Sequence, residues 1–355
     1  MDLKNRIEAF IKLGKFLKEL SVDNENKQID YVNEKYFESI NKIIKDSKNH
    51  NSWFIEKNIR FALSSLAESL EKDNILKWIE PYRKQIEKRN NCVNVNVVMA
   101  GNIPVVGFLD FLCVLISGNK FIGKLSSDDM ELLPAISEVL SEIEPHFKNK
   151  IYFTKEKLQN IDAVIATGSN NTSRYFEYYF GKYPNIIRKN RNGVAVLSGN
   201  ETCDELEKLG VDIFMFFGLG CRNVSKLFVP EDYSFDRFFE AMEKFRWVNN
   251  YSKYINNYDY YKSIYLINKV KHFDNGFIIL KEEDLFSSPI SVIFYEKYKN
   301  EKQLSERLNF NKDNIQCIVS KSDKISGVIP FGSSQSPQLW DYADGIDTMD
   351  FLIKL

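Results

Sequence analysis

VNVNVVMAGNIPVVGFLDFLCVLISGNKFIGKLSS, residues 93–127, decides the fold. Val93–Ala100 alternates and then runs solid in β-branched residues, the pattern of a strand buried on both faces. Gly101–Pro104 breaks that run, Val106–Ser117 is apolar at helical length, and Lys120–Leu125 is a second short strand. Strand, helix and strand in so short a span predict a parallel pair joined by a helical crossover. The alternation continues downstream with helix Leu132–Ile143, strands Ile151–Thr154 and Asp162–Ala166, and helix Thr172–Phe180. A turn signal, Asn192-Gly193, then opens a second run. It reads as strand Gly193–Leu197, helix Cys203–Phe216, strand Ser225–Val229, helix Asp236–Phe245 and two further strands, Ser291–Tyr295 and Ile315–Val319. Upstream, residues 1–90 are charge-rich with helical spacing of Phe, Ile, Leu and Trp, and predict several helices, among them Trp53–Leu70 and Asn74–Arg89. The fold class expected is α/β with parallel sheets behind a helical N-terminal region. The expected division, near Arg188–Asn192, gives parts 1–192 and 193–355.

The 355 residues carry a net charge of −1 with 27% charged and 44% hydrophobic residues, so nothing pulls the chain toward nucleic acid or an anionic membrane. MDLKNRIEAFIKLGKFLKEL at the start reads as an amphipathic helix and not a signal peptide. The most apolar stretch, Ile103–Ser117, is too short to span a bilayer and contains Asp110. The five cysteines (Cys92, Cys113, Cys203, Cys221, Cys317) are odd in number and scattered, with no CxxC pair and no His–Cys cluster. That argues against a metal site or a disulfide framework and makes a reducing cytoplasm the simplest setting.

Four local features carry chemistry. Cys221 lies in FGLGCRNVSKLFV (Phe217–Val229), where Gly218 and Gly220 let the backbone come close to whatever the sulfur attacks. The bland alternative is a buried structural thiol. AGNIP (Ala100–Pro104) follows a buried strand and places Asn102 either as an oxyanion donor or as an Asx-turn residue. In SGNKFIGKLSS (Ser117–Ser127), Lys124 ends a strand at the edge where α/β sheets bind ligands, followed by Ser126 and Ser127. A lysine with two hydroxyls suits a nucleotide ribose or phosphate; a solvated lysine is the alternative. ATGSNNTSRYF (Ala166–Phe176) places Thr167, Gly168 and Ser169 at a helix N-terminus, which favours phosphate or is a plain N-capping turn.

The order of these four features resembles the aldehyde dehydrogenase superfamily. AGNIP matches its PWNxP-type oxyanion loop at Asn102 and Pro104, and Gly118-Asn119 with Lys124 matches the segment that holds the adenosine ribose. Thr167-Gly168-Ser169 matches its F-T-G-S turn, and Gly218–Cys221 its nucleophile loop. PFGSSQSPQLWDYADGIDTMDFL (Pro330–Leu352) is similar to its PFGG segment. Within the superfamily the chain most resembles the acyl-CoA reductases of the LuxC family, on FGLGCRNVSKLFVP and DYADGIDTMDFL. The resemblance implies an aldehyde-dehydrogenase-like fold of two Rossmann-type parallel α/β domains, one for cofactor and one catalytic. It further implies an NADPH-dependent reduction of an acyl thioester, on CoA or a carrier protein, to an aldehyde through acyl-Cys221. A partner protein that passes on the acyl group, and assembly as a homo-oligomer, belong to the same expectation.

Three departures from the wider family refine it. The stretch IIRKNRNGVAVLSG (Ile186–Gly199), where hydrolytic members carry a general-base glutamate, has no carboxylate, so an acyl-cysteine should await hydride and not water. Ser127 stands where NAD-preferring members have a glutamate, leaving room for a 2′-phosphate beside Lys124. The nicotinamide-ribose element is reduced to EEDLFSSP (Glu282–Pro289), where Glu283 or Asp284 would serve. Arg222 beside the cysteine is expected in a salt bridge elsewhere, and the tyrosine-rich run Tyr251–Ile267 reads as packing before an acyl channel. Rival functions are a non-redox thiol acyltransferase and a non-catalytic nucleotide- or acyl-carrier-binding protein.

Overall fold

A computed structural model describes residues 1–22 and 32–355. They form two compact units, Met1–Lys189 with Ser336–Leu355, and Asn190–Gln335. The first unit opens with helices α1 (Leu3–Ser21), α2 (Glu34–His50), α3 (Glu56–Ser69), α4 (Lys72–Ile79) and α5 (Arg83–Lys88). Asp2 caps α1 by accepting from the Asn5 N–H at 2.8 Å. Phe10, Leu13, Phe16, Leu17 and Leu20, three and four residues apart, are fully buried. The single helix expected over Asn74–Arg89 is two helices, because Pro81 has no N–H to continue the ladder and α4 stops at Ile79.

The parallel part of this unit follows as β1 (Asn94–Val98), α6 (Phe108–Ile116), β2 (Lys120–Lys124), α7 (Leu132–Ile143), β3 (Ile151–Thr154), β4 (Ala163–Thr167), α8 (Asn170–Phe180) and β5 (Asn185–Arg188). The strands lie in the order β3-β2-β1-β4-β5, all parallel. Helix α6 ends where Gly118 takes φ +90°. The Gly118 N–H then bonds Leu115 O, and the Asn119 N–H bonds Val114 O, a glycine stop that a Cβ would disfavour. Asn119, 1% exposed, accepts from the Val93 N–H and donates to Ser117 Oγ. The Gly-Asn pair thus fixes the α6-to-β2 turn. Connections leave β1 toward β2 on one side and reach β4 on the other, so the order reverses between β1 and β4.

The second unit contains β6 (Asn192–Val196), α9 (Cys203–Phe214), β7 (Val224–Pro230), α10 (Asp236–Met242), α11 (Ser252–Ile267), β8 (Phe273–Asp274), β9 (Ile279–Glu282), β10 (Val292–Tyr298), α12 (Glu301–Phe310), β11 (Ile315–Val319) and β12 (Val328–Ile329). Its seven strands run in the order β12-β11-β6-β7-β10-β9-β8. The β8–β9 pair is antiparallel and the other pairs are parallel. The run Tyr251–Ile267 is helical, with Tyr254, Tyr258 and Tyr265 buried and Tyr260, Leu266 and Ile267 exposed.

The last residues return to the first unit and end in α13 (Thr348–Ile353). Polar bonds fasten them. Trp78 Nε1 donates to Tyr342 Oη at 2.6 Å and Tyr82 Oη to Asp347 Oδ2 at 2.6 Å. Buried Arg188 holds Asp110 through two bonds, 2.6 and 2.8 Å, and donates to Thr348 Oγ1 at 3.0 Å.

Candidate active site

In the first unit, the three candidate loops leave the carboxyl ends of β1, β2 and β4, side by side at the point where strand order reverses. Register pairs Val98 with Lys124 and with Ala166. The first two loops are locked together. A Cβ on Gly101 would lie 2.4 Å from Ser126 Oγ, so only glycine lets the AGNIP loop pass so near KLSS. Asp129 Oδ2 accepts from the Val105 N–H at 2.9 Å, supporting Val105 at φ 51°, a costly conformation for a β-branched residue. Burial raises the Asp129 carboxyl to about 6 although that N–H opposes the shift. Asn102 and Ser127 are exposed, and Lys124 and Ser126 half-buried. Ser169 is the N-cap of α8, accepting from the Thr172 N–H at 3.2 Å. Thr167 ends β4, and a Cβ on Gly168 would lie 2.9 Å from the Phe176 ring.

In the second unit, Cys221 precedes β7, at the amino edge of its sheet. It is exposed. Gly220–Asn223 is a tight turn closed twice: the Asn223 N–H donates to Gly220 O at 3.0 Å, and Asn223 Oδ1 accepts from the Gly220 N–H at 2.8 Å. Cys221 occupies the first corner of this turn. Just upstream, Phe216, Phe217 and Gly218 have φ of 53°, 56° and 79°. Two aromatic residues in the left-handed region cost about 1–3 kcal/mol each. Phe217, 1% exposed, is held there against Trp247, Tyr251 and Tyr254. Gly193 of β6 donates to Asn223 O at 3.1 Å. Among the described residues Arg222 does not make the expected salt bridge; its Nε donates to Ser334 O at 2.7 Å, because the Pro330–Gln335 segment folds back beside it. The same segment is held by Asp212, which accepts from the Gly332 and Ser334 N–H groups at 2.6 and 2.9 Å. Burial raises Asp212 to about 6 against these bonds and the charge of Arg222.

Glu283 and Asp284 follow β9. Glu283 accepts from Lys281 Nζ at 2.6 Å, which lowers its pKa; Asp284 is exposed. Their backbone is anchored by Lys226, fully buried on β7, whose Nζ donates to Glu283 O at 3.0 Å, Asp284 O at 3.1 Å and Glu296 Oε2 at 2.5 Å. The first carboxylate after β6 is Glu201. It accepts from the Ser198 and Gly199 N–H groups of its own turn. That turn lies at the carboxyl end of β6. Cys221 lies at the amino end of the parallel β7, a strand length of about 16 Å away.

A family model for acyl-CoA reductase (LuxC) matches residues 13–242. The chain belongs to this acyl-CoA reductase family. LuxC-family membership makes oxidoreductase chemistry of the acyl-CoA and aldehyde type its class. No curated protein sequence matches the chain. Among solved structures, aldehyde dehydrogenase 21 from Physcomitrella patens, in complex with succinate, is similar with a TM-score of 0.66 and 14% identity, covering 100% of this chain and 84% of that one. Indole-3-acetaldehyde dehydrogenase of P. syringae, in complex with NAD+ and IAA, has a TM-score of 0.60 and 11% identity, covering 92% and 74%. An NADP-dependent enzyme of E. coli has a TM-score of 0.61 and 11% identity, covering 94% and 76%. The LuxC-family chain therefore has the aldehyde-dehydrogenase-like α/β fold expected of it. Among its described residues no helix is long and apolar enough to cross a membrane. Sequence reading did not single out Asp212, Asn223 or Lys226. The one local signal for any of them is the Gly-Cys-Arg-Asn turn composition.

Proposed function

We propose that this chain reduces an acyl thioester, on CoA or a carrier protein, to an aldehyde with NADPH through an acyl-Cys221 intermediate. The observation that carries the reading is the exposed Cys221 thiol at the corner of a turn held by strained backbone, in a chain of the acyl-CoA reductase family. The first unit is read as the cofactor domain and the second as the catalytic domain.

The residues present fit a dinucleotide. Three loops converge at the strand-order reversal, and Gly101 and Gly168 leave no space for a Cβ. That close-packed backbone beside Lys124, Ser126, Ser127, Thr167 and Ser169 suits a dinucleotide. Lys124 with Ser126 and Ser127 would hold the adenosine ribose and its 2′-phosphate, and Thr167, Gly168 and Ser169 the pyrophosphate side. Ser169 Oγ already serves as the α8 cap, so its contribution would come from the backbone at that helix start. With Glu283 engaged by Lys281, exposed Asp284 is the better residue for the nicotinamide ribose. Bound NADPH supplies hydride.

Cys221 thiolate attacks the thioester carbonyl, and the Asn102 amide and Cys221 N–H stabilise the oxyanion, each such donor being worth about 100- to 1000-fold in rate. Attack forms the Cys221 Sγ–carbon bond; collapse of the oxyanion restores the carbonyl, breaks the carbon–sulfur bond to the carrier and expels the carrier thiolate, which takes up a proton. Hydride addition gives a Cys221 thiohemiacetal, whose C–S bond breaks to release aldehyde and thiolate. Glu201, turned into its own loop, is no base for water, which favours reduction over hydrolysis.

The test follows NADPH oxidation across acyl-CoA chain lengths, with mass spectrometry of the Cys221 peptide. An acyl adduct with loss of the reduced-nicotinamide absorbance is expected, both abolished in Cys221→Ala. Full activity in Cys221→Ala refutes the reading. An adduct without NADPH oxidation points to a thiol acyltransferase, and neither signal to a binding protein.

A further inference from the structure

We propose that Asn223 is the positioning residue for the Cys221 thiol, an inference that rests on Cys221 being the nucleophile. Its side chain is 2% exposed yet fully used. Oδ1 accepts from the Gly220 N–H at 2.8 Å, and Nδ2 donates to Met215 O at 2.8 Å, Asp212 O at 3.0 Å and Ile213 O at 3.3 Å. Those carbonyls lie at and just past the end of α9, where helix geometry leaves acceptors without intrahelical partners. One amide therefore closes two accounts: it satisfies the exit of α9 and suspends from it the turn whose corner is Cys221.

The chemistry singles out asparagine. Aspartate has the acceptor for Gly220 but no donor for the three carbonyls; leucine has neither; glutamine is a methylene too long for a turn this tight. The helix end is itself a fixed support, because α9 begins in a capping box in which Thr202 and Glu205 bond reciprocally. The left-handed backbone at Phe216–Gly218 reverses the chain so that Gly220–Asn223 comes back beneath the carbonyls it has just left. On the far side, the Gly193 N–H holds Asn223 O. The turn is thus gripped from α9 and from β6, and the thiol is carried on the residue between the two grips. Attack on a carbonyl tolerates little error, a displacement near 1 Å being worth roughly 100-fold in rate.

The test uses the full chain with Asn223→Ala and Asn223→Asp. Folding is followed by circular dichroism and melting, acyl-Cys221 formation by single-turnover mass spectrometry over a range of acyl-CoA concentrations, and thiol reactivity by iodoacetamide labelling against pH. In folded variants the limiting acylation rate is expected to fall roughly 100-fold while half-saturation changes by less than about threefold. The labelling profile of Asn223→Asp is expected to move to higher pH, since a carboxylate beside the turn disfavours the thiolate. A role in folding alone lowers the melting temperature and leaves rate and profile of the folded protein unchanged. Acylation within about threefold of the parent in either folded variant overturns the proposal, as does failure of both variants to fold, which assigns Asn223 to folding alone. If the parent Cys221 takes no acyl group, the reaction reading has failed. The labelling profile then judges Asn223 by itself, and an unmoved profile overturns its role.

Discussion

Replacing Gly193 by alanine should slow the chemistry more than it weakens the fold. A Cβ there would stand 2.5 Å from Arg222 O, 2.6 Å from Asn223 O and 2.9 Å from Arg222 C. All three are backbone atoms, so no flexible side-chain end can swing aside. Ordinary carbon contacts begin near 3.5 Å, so β6 and the Arg222–Asn223 backbone must part by about 1 Å. Overpacking of that size costs about 1–3 kcal/mol, a fall in melting temperature of several degrees. The same displacement falls on the residue next to Cys221, and at roughly 100-fold per ångström acylation should drop by about two orders of magnitude. The assay pairs a melting curve with the single-turnover acylation rate. The cavity-free contact also predicts that Gly193→Val is worse on both measures. A Gly193→Ala protein with parental melting temperature and parental acylation rate would refute the claim that the Cys221 turn is wedged against β6.

Asp212 predicts a pH dependence. Its carboxyl stands at about 6 in the folded protein against an ordinary 3.8, so the folded state binds the proton more tightly. That stabilisation is fully present below pH 3.8 and is lost as pH rises through about 6, amounting to about 3 kcal/mol. Asp212→Asn should remove this fall, measured as urea-unfolding stability at pH 4, 6 and 8; an unchanged slope refutes it. Arg188→Met should cost about 3–5 kcal/mol, because it leaves Asp110, with a side chain 7% exposed, charged and unpaired. Adding Asp110→Leu should recover most of that loss, and urea unfolding of the double variant that is as weak as the single would show that the ion pair is not the cause.

Where apolar period and stop signals coincide, the sequence already states the element. Leu132–Ile143, Ile151–Thr154 and Ile315–Val319 form as read, residue for residue. The run at residues 93–127 is legible for the same reason: a β-branched strand, a solid apolar helix and a glycine stop agree. One helix with few buried residues was not legible. Helix α12 buries only Leu304 and Leu308, so its apolar period is thin. The break at Pro81 was a legible signal that the periodicity of Trp78 and Ile86 overrode. At the site, the loops of Asn102, Lys124 and Thr167 were visible as strand ends, since strand ends are local. Asp212 was not, because its partners at Gly332 and Ser334 lie 120 and 122 residues away. Lys226 was hidden likewise: in sequence it is one more lysine, and only the carbonyls of Glu283 and Asp284, which follow β9 where it pairs with β10 beside β7, make it a buried anchor.

On the proposed reaction, whether an acyl group on Cys221 waits for hydride or is lost to water depends on what base can reach it within its own unit. Four carboxylates there are the natural suspects. Glu201 takes two N–H groups of its own turn at the opposite sheet edge. Asp212 is fully buried, with one oxygen on the Gly332 N–H and the other on the Ser334 N–H. Its raised pKa would suit a base, but desolvation gives that value by excluding the water it would have to activate. Glu283 is held by Lys281, and Glu296 by Lys226 and Arg307. His272 has Nδ1 against Val270 O at 2.7 Å, so its ring too has a structural partner. Each of these five groups already holds a loop or a neighbouring side chain. Those bonds leave none of these five groups placed to activate water, so on the proposed reaction a Cys221 thioester should persist until a reductant or another thiol removes it.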